Sequence, residues 1–67
     1  MIPDHRYIET AWSRDRYTLY GYQKGTTLEE AIRTTERARE VKGLKARRFK
    51  ERLDGEDVYV IYVLRQG

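Results

Sequence analysis

The sequence predicts an α+β fold of ββαββ order, a four-stranded sheet with one helix packed on one face. Three observations carry this expectation. Two N-terminal stretches alternate apolar and polar residues, the pattern of half-buried strands. A central stretch repeats its apolar residues at helical spacing between a hydroxyl-led start and a glycine stop. The C-terminal third holds two strand-like runs on either side of Asp54-Gly55, the strongest hairpin signal in the chain.

Arg6–Ser13 alternates Ile8, Thr10 and Trp12 against Tyr7, Glu9 and Ala11, and Arg16–Gln23 continues the pattern with Tyr17 and Leu19. A tight loop at Arg14-Asp15 would set Trp12 opposite Tyr17 and Thr10 opposite Leu19. Ile8, Trp12, Tyr17 and Leu19 then share one face, and Tyr7, Ala11, Thr18, Tyr20 and Tyr22 the other. Gly21 inside the second strand signals a bulge or a close backbone approach.

After Lys24-Gly25, either Thr26 with Glu29 or Thr27 with Glu30 fits a capping box. Leu28, Ala31, Ile32, Thr35 and Ala38 form a narrow apolar stripe, and Gly43 followed by Leu44 fits a left-handed helix stop. The Thr34-Thr35 pair lowers intrinsic helicity, so the helix depends on packing. In the second hairpin a two-residue turn pairs Phe49 with Val60 and Arg47 with Tyr62. Arg48, Lys50 and Arg52 then lie on the opposite face with Tyr59 and Ile61.

The last strand is apolar on both faces, which suits a central position, while the third is too charged to be central. Together they favour the spatial order 2-1-4-3, with strands one and four parallel in the middle. In element order alone this resembles the β-grasp architecture of small immunoglobulin-binding domains of bacterial surface proteins.

At 67 residues the chain is read as a single small domain, 1–67, with 1–5 a flexible N-terminus. Cysteine is absent, which removes disulfides and thiolate metal sites. The N-terminus has no apolar run, and the longest apolar run, Val58–Leu64, is too short to span a bilayer. The expected location is the cytoplasm, without membrane attachment.

The chain carries a net charge of +3. Lys42–Arg52, KGLKARRFKER, holds six basic residues and one acid, so it supplies +5 while the remainder carries −2. No catalytic constellation accompanies it. The only histidine is His5, the only serine is Ser13, and no nucleophile elbow or phosphate loop is present. The acids of Asp54, Glu56 and Asp57 lack the spacing of a calcium loop. The expectation is a non-enzymatic binding domain with no cofactor, no metal and no evident small-molecule substrate.

Its first expected partner is nucleic acid, met by a helix-free sheet face that gathers Arg48, Lys50 and Arg52 with Tyr59, Tyr7, Tyr20 and Tyr22, and Lys45 at the rim. Cations neutralise phosphates and interleaved aromatics stack on bases. The alternative is protein interaction, as a homodimer or as a small regulatory or inhibitory protein of phage or mobile-element type docking on a larger target. A third reading needs no partner, because lysine and arginine on an outer strand prevent edge-to-edge aggregation.

Overall fold

Val58–Leu64, the most apolar run in the chain, forms the inner strand around which the other elements are arranged. The computed structural model describes residues 2–65. Its elements are β1 (His5–Glu9), β2 (Arg14–Tyr22), α1 (Leu28–Glu40), β3 (Leu44–Leu53) and β4 (Glu56–Arg65). The fold is therefore α+β in ββαββ order, with one helix on a four-stranded sheet, as predicted.

The strands lie in the order β1-β2-β4-β3, with every neighbouring pair antiparallel. β4 is central and β3 is an edge, as its charge suggested. The second inner strand, however, is β2 and not β1, so the expected parallel β1–β4 pair is replaced by an antiparallel β2–β4 pair. Strand length explains the exchange. β2 has nine residues and pairs with β1 along Arg14–Thr18 and with β4 along Thr18–Tyr22, whereas β1 has five residues, all used on β2. β2, α1 and β3 form a crossover with β4 inserted between the two parallel strands.

The first hairpin also departs from expectation. Its loop is Thr10–Ser13, and the register pairs Arg6 with Tyr17 and Ile8 with Asp15. The Thr10 hydroxyl accepts the backbone N–H groups of Trp12 and Ser13 at 3.2 and 3.1 Å, and the Thr10 N–H donates to the Ser13 carbonyl at 2.8 Å. This local hydroxyl turn competes successfully with extending the strand. Trp12, expected in the core, is consequently 93% exposed. The second hairpin has the predicted register, with Phe49 opposite Val60 and Arg47 opposite Tyr62. Asp54 and Gly55 have φ of 52° and 80°, the left-handed pair of a type I′ turn.

Thr27 caps the helix by accepting the Glu30 N–H at 3.2 Å, and Gly43, at φ 64°, turns the chain into β3. Ala31, Thr35 and Ala38 form the buried stripe. Its small side chains let the helix approach the sheet closely, and the buried Thr35 hydroxyl is satisfied by the Ala31 carbonyl at 2.8 Å.

Ala38 packs against Ala46, Ile61 and Val63, so α1 covers β3 and β4 on that face. The opposite face holds the larger core of Tyr17, Val58, Val60 and Tyr62, with Ile2, Ile8, Leu19, Phe49, Leu53 and Leu64 around it. Arg6 on β1 reaches across this core to bond Glu51 on β3, although β1 and β3 are the two outer strands. In a flat sheet three strand spacings, roughly 14 Å, would separate them. The sheet therefore curls over this face. The Arg6 guanidinium stacks 4.3 Å from the Phe49 ring and 5.1 Å from the Tyr62 ring.

Residues 2–5, expected as a flexible lead, are tied into the same core. Ile2 packs on it, the Tyr62 hydroxyl donates to the Pro3 carbonyl at 2.7 Å, and the Asp4 carbonyl accepts the Leu19 N–H at 2.7 Å. Met1 lies outside the described residues. Among these residues, no helix is long and apolar enough to cross a membrane.

Candidate nucleic-acid interface

Residues directly opposite in an antiparallel ladder project to the same side. Arg48, Lys50 and Arg52 stand opposite Ile61, Tyr59 and Asp57, in the same alternation that sets Ala46 opposite Val63 beneath Ala38. They are therefore on the helix side of the sheet, and the expected helix-free location is corrected. The helix sets its small stripe against Ala46, Ile61 and Val63, while Ile2, Arg6 and the Pro3 carbonyl cover part of the other face. Ile61, expected near the surface, is buried, and Tyr59 is half-buried.

The expected grouping of side chains survives in part. Tyr7 lies opposite Arg16, and Thr18 lies opposite both His5 and Val63, which puts Tyr7 on the helix side as well. Tyr20 joins it, lining a hollow with Thr18, Lys42, Leu44, Val63 and Arg65. The register shift between Leu19 and Gly21 then sets Tyr22 opposite Val60, on the other face. Lys45, opposite Leu64, also points away from the helix side. The helix lies over β3 and β4, between the basic edge and the β1–β2 tyrosines. One continuous patch is thus divided.

The divided halves differ in what surrounds their charges. Lys50 and Arg52 both reach Asp57, at 3.6 and 3.5 Å, and nearby Lys24 bonds Asp54 at 2.9 Å. That hydrogen bond, together with the Lys24 charge, holds the Asp54 carboxyl below its ordinary range and raises the Lys24 ammonium.

The other end of the molecule brings together the 10–13 loop, the end of α1, the start of β3 and the end of β4. Lys42 stands 5.2 Å from the Tyr20 ring, and the Arg14 guanidinium lies 4.5 Å from the Tyr7 ring. Arg14 also pairs with Glu9 at 3.4 Å. Around the far side of this end a groove of about 620 Å³ is lined by Thr10, Trp12, Asp15, Arg39, Lys45 and Arg47, among others, and Leu44 borders both hollows. Arg39 donates to the Ala46 carbonyl at 2.6 Å, which ties the last turn of the helix to the strand it precedes. At this end Arg16, Lys42, Lys45, Arg47 and Arg65 have no ion pair among the described residues; Arg33, Arg37 and Arg39 on the helix and Arg48 on the β3 edge have none either. Tyr7 is 57% and Tyr20 38% exposed.

Ser13 and His5 remain separate. The Ser13 hydroxyl donates to Asp15 at 2.8 Å, and His5 begins β1 at the end away from that loop, about 13 Å along the strand. Comparison of this chain with protein-family models, with curated proteins and with solved structures finds no match.

Sequence reasoning did not single out Arg14, Arg16, Arg39 or Arg65. A tight turn at Arg14-Asp15 puts Arg14 in a loop and leaves Arg16 without a face, whereas the longer Thr10–Ser13 loop of the structure places both on β2. The available signal was Thr10 followed by Ser13, a hydroxyl pair able to close a four-residue turn.

Proposed function

We propose that the chain is a non-enzymatic domain that binds single-stranded nucleic acid through the end formed by Tyr7, Arg16, Tyr20, Lys42 and Arg65. Lys45, Arg47 and Trp12 extend this surface around Leu44. One observation carries the reading: Arg16, Lys42, Lys45, Arg47 and Arg65, from β2, the turn after α1, β3 and β4, converge without ion pairs of their own around exposed aromatic rings. Each has a local explanation, since cations favour helix C-termini and strand surfaces. No local rule assembles them from four segments of the chain. Arg16 and Arg65 lie at the ends of the two inner strands where each is paired on one side only, Arg16 with Tyr7 and Arg65 with Leu44.

Phosphates would lie along the cations and bases against the tyrosine faces, an arrangement suited to a flexible single strand. Binding should weaken with salt, the logarithm of affinity falling with a slope of about −3 if about four phosphates are contacted. Fluorescence anisotropy of a labelled single strand across a salt series measures this. Arg16→Glu with Lys42→Glu should lower affinity about tenfold or more and flatten the slope. An affinity indifferent to salt and to these charge reversals would overturn the reading.

Trp12 gives a second reading, since a tryptophan this exposed suits a protein interface. In that case a partner or a second copy would be retained after nuclease treatment, and Trp12→Ala would release it.

A further inference from the structure

Gly21 has a role that the fold does not explain. Gly25, Gly43 and Gly55 have positive φ, but Gly21 does not, so its backbone conformation is open to other residues. A Cβ placed on it would meet no protein atom within 4 Å. Neither strain nor crowding calls for glycine here. Instead Gly21, with its neighbours Tyr20 and Tyr22, lines a hollow of about 190 Å³ that Gln23, Thr34, Tyr59 and Ile61, among others, complete between β2, β4 and the first half of α1. The register shift between Leu19 and Gly21, which sets Gly21 opposite Ile61, falls at this hollow.

We propose that this hollow receives one base of the bound single strand, laid over Gly21 and against the tyrosine rings. The inference rests on the nucleic-acid reading and adds the site at which a base is held. Three features support it. Pockets for drug-sized ligands measure roughly 300–1,000 Å³, so this smaller space suits a single ring system. Tyr20 and Tyr59 line it with aromatic side chains, the residue type on which bases stack, and Gln23 and Thr34 add polar lining. Tyr20 also lines the hollow of Lys42 and Arg65, so a strand whose phosphates follow those cations passes the mouth of this one. Glycine leaves room for the ring where any side chain would take it.

The test compares a short labelled single strand of mixed sequence with an abasic strand of the same length, using the full chain and its Gly21→Val variant. The wild type should bind the base-bearing strand about tenfold tighter than the abasic one. Gly21→Val should lose that preference while keeping its salt slope and its thermal melt. If valine perturbs the fold, Gly21→Ala supplies the smaller obstruction, and the abasic comparison in the wild type needs no variant. Equal wild-type affinity for the two strands would overturn the proposal. So would unchanged base preference in Gly21→Val, and with Arg16→Glu and Lys42→Glu still weakening binding, the surface would stand without the base site. A wild type that binds neither strand removes both readings.

Discussion

The two ends of this molecule use their cations differently. Towards the β3–β4 turn, Lys24, Lys50 and Arg52 are matched by Asp54 and Asp57, and Arg6 is matched by Glu51. At the opposite end Arg16, Lys42, Lys45, Arg47 and Arg65 stand among exposed aromatics with no ion pair among the described residues. Charge density along the sequence therefore does not locate a binding surface. The stretch Lys42–Arg52 contributes to both ends: Lys42, Lys45 and Arg47 belong to the open one, while Lys50 and Arg52 are engaged by the protein's own acids and Arg48 beside them has no ion pair. Ion pairs at exposed positions contribute little to stability, about 0–1 kcal/mol. They do lower the charge left for a partner.

The sharpest test of this difference exchanges the charges of the two regions. Reversal at Arg48→Glu with Lys50→Glu should leave single-strand affinity within about threefold, against the loss of about tenfold or more at Arg16 and Lys42. Equal losses in the anisotropy assay would erase the distinction. A smaller effect should come from removing charge at the outer strand. β3 exposes an unpaired edge, and Arg48→Val with Lys50→Val should make the protein self-associate, seen as larger species in sedimentation at high concentration. A strict monomer would show that these cations do not guard the edge.

The smallest effect concerns pH. The Asp54 carboxyl is lowered from 3.8 in the fold, so its contribution is present above that value and lost as pH falls through the lowered one. The Lys24 ammonium is raised from 10.5, so its contribution is present below that value and lost as pH rises through the raised one. Because both groups are exposed, the change should be slight and muted by salt. Urea midpoints near pH 3 and pH 7 should differ by less in Lys24→Ala than in the wild type. An undiminished difference would show that this pair contributes nothing.

Much of the second half of the fold was legible residue by residue. Asp54-Gly55 specifies a turn whose two left-handed residues leave one compatible register, and Gly43 ends the helix for a similar backbone reason. Thr27 was one of two capping candidates, and the structure selects it. The first hairpin was not legible in the same way, because Arg14-Asp15 has no glycine and the Thr10 hydroxyl turn competes on nearly equal terms. That uncertainty carried into the site. Strand alternation puts Tyr7 and Tyr20 on one side, as the structure has them, but Tyr22 crosses to the other face at the bulge, which alternation alone does not foresee.

The sequence by itself determined the elements, the central place of β4, the edge position of β3 and the alternation that separates Arg47 from Arg48. These follow from local backbone preferences and from the period-two geometry of strands. Only the tertiary structure decided which strand lies beside β4, which face the helix takes and which cations remain without acids. Those outcomes depend on contacts between residues far apart in the chain. Arg6 reaching Glu51 closes one face, Ala38 on Ala46 and Ile61 covers part of the other, and the open end is what these two packings leave uncovered.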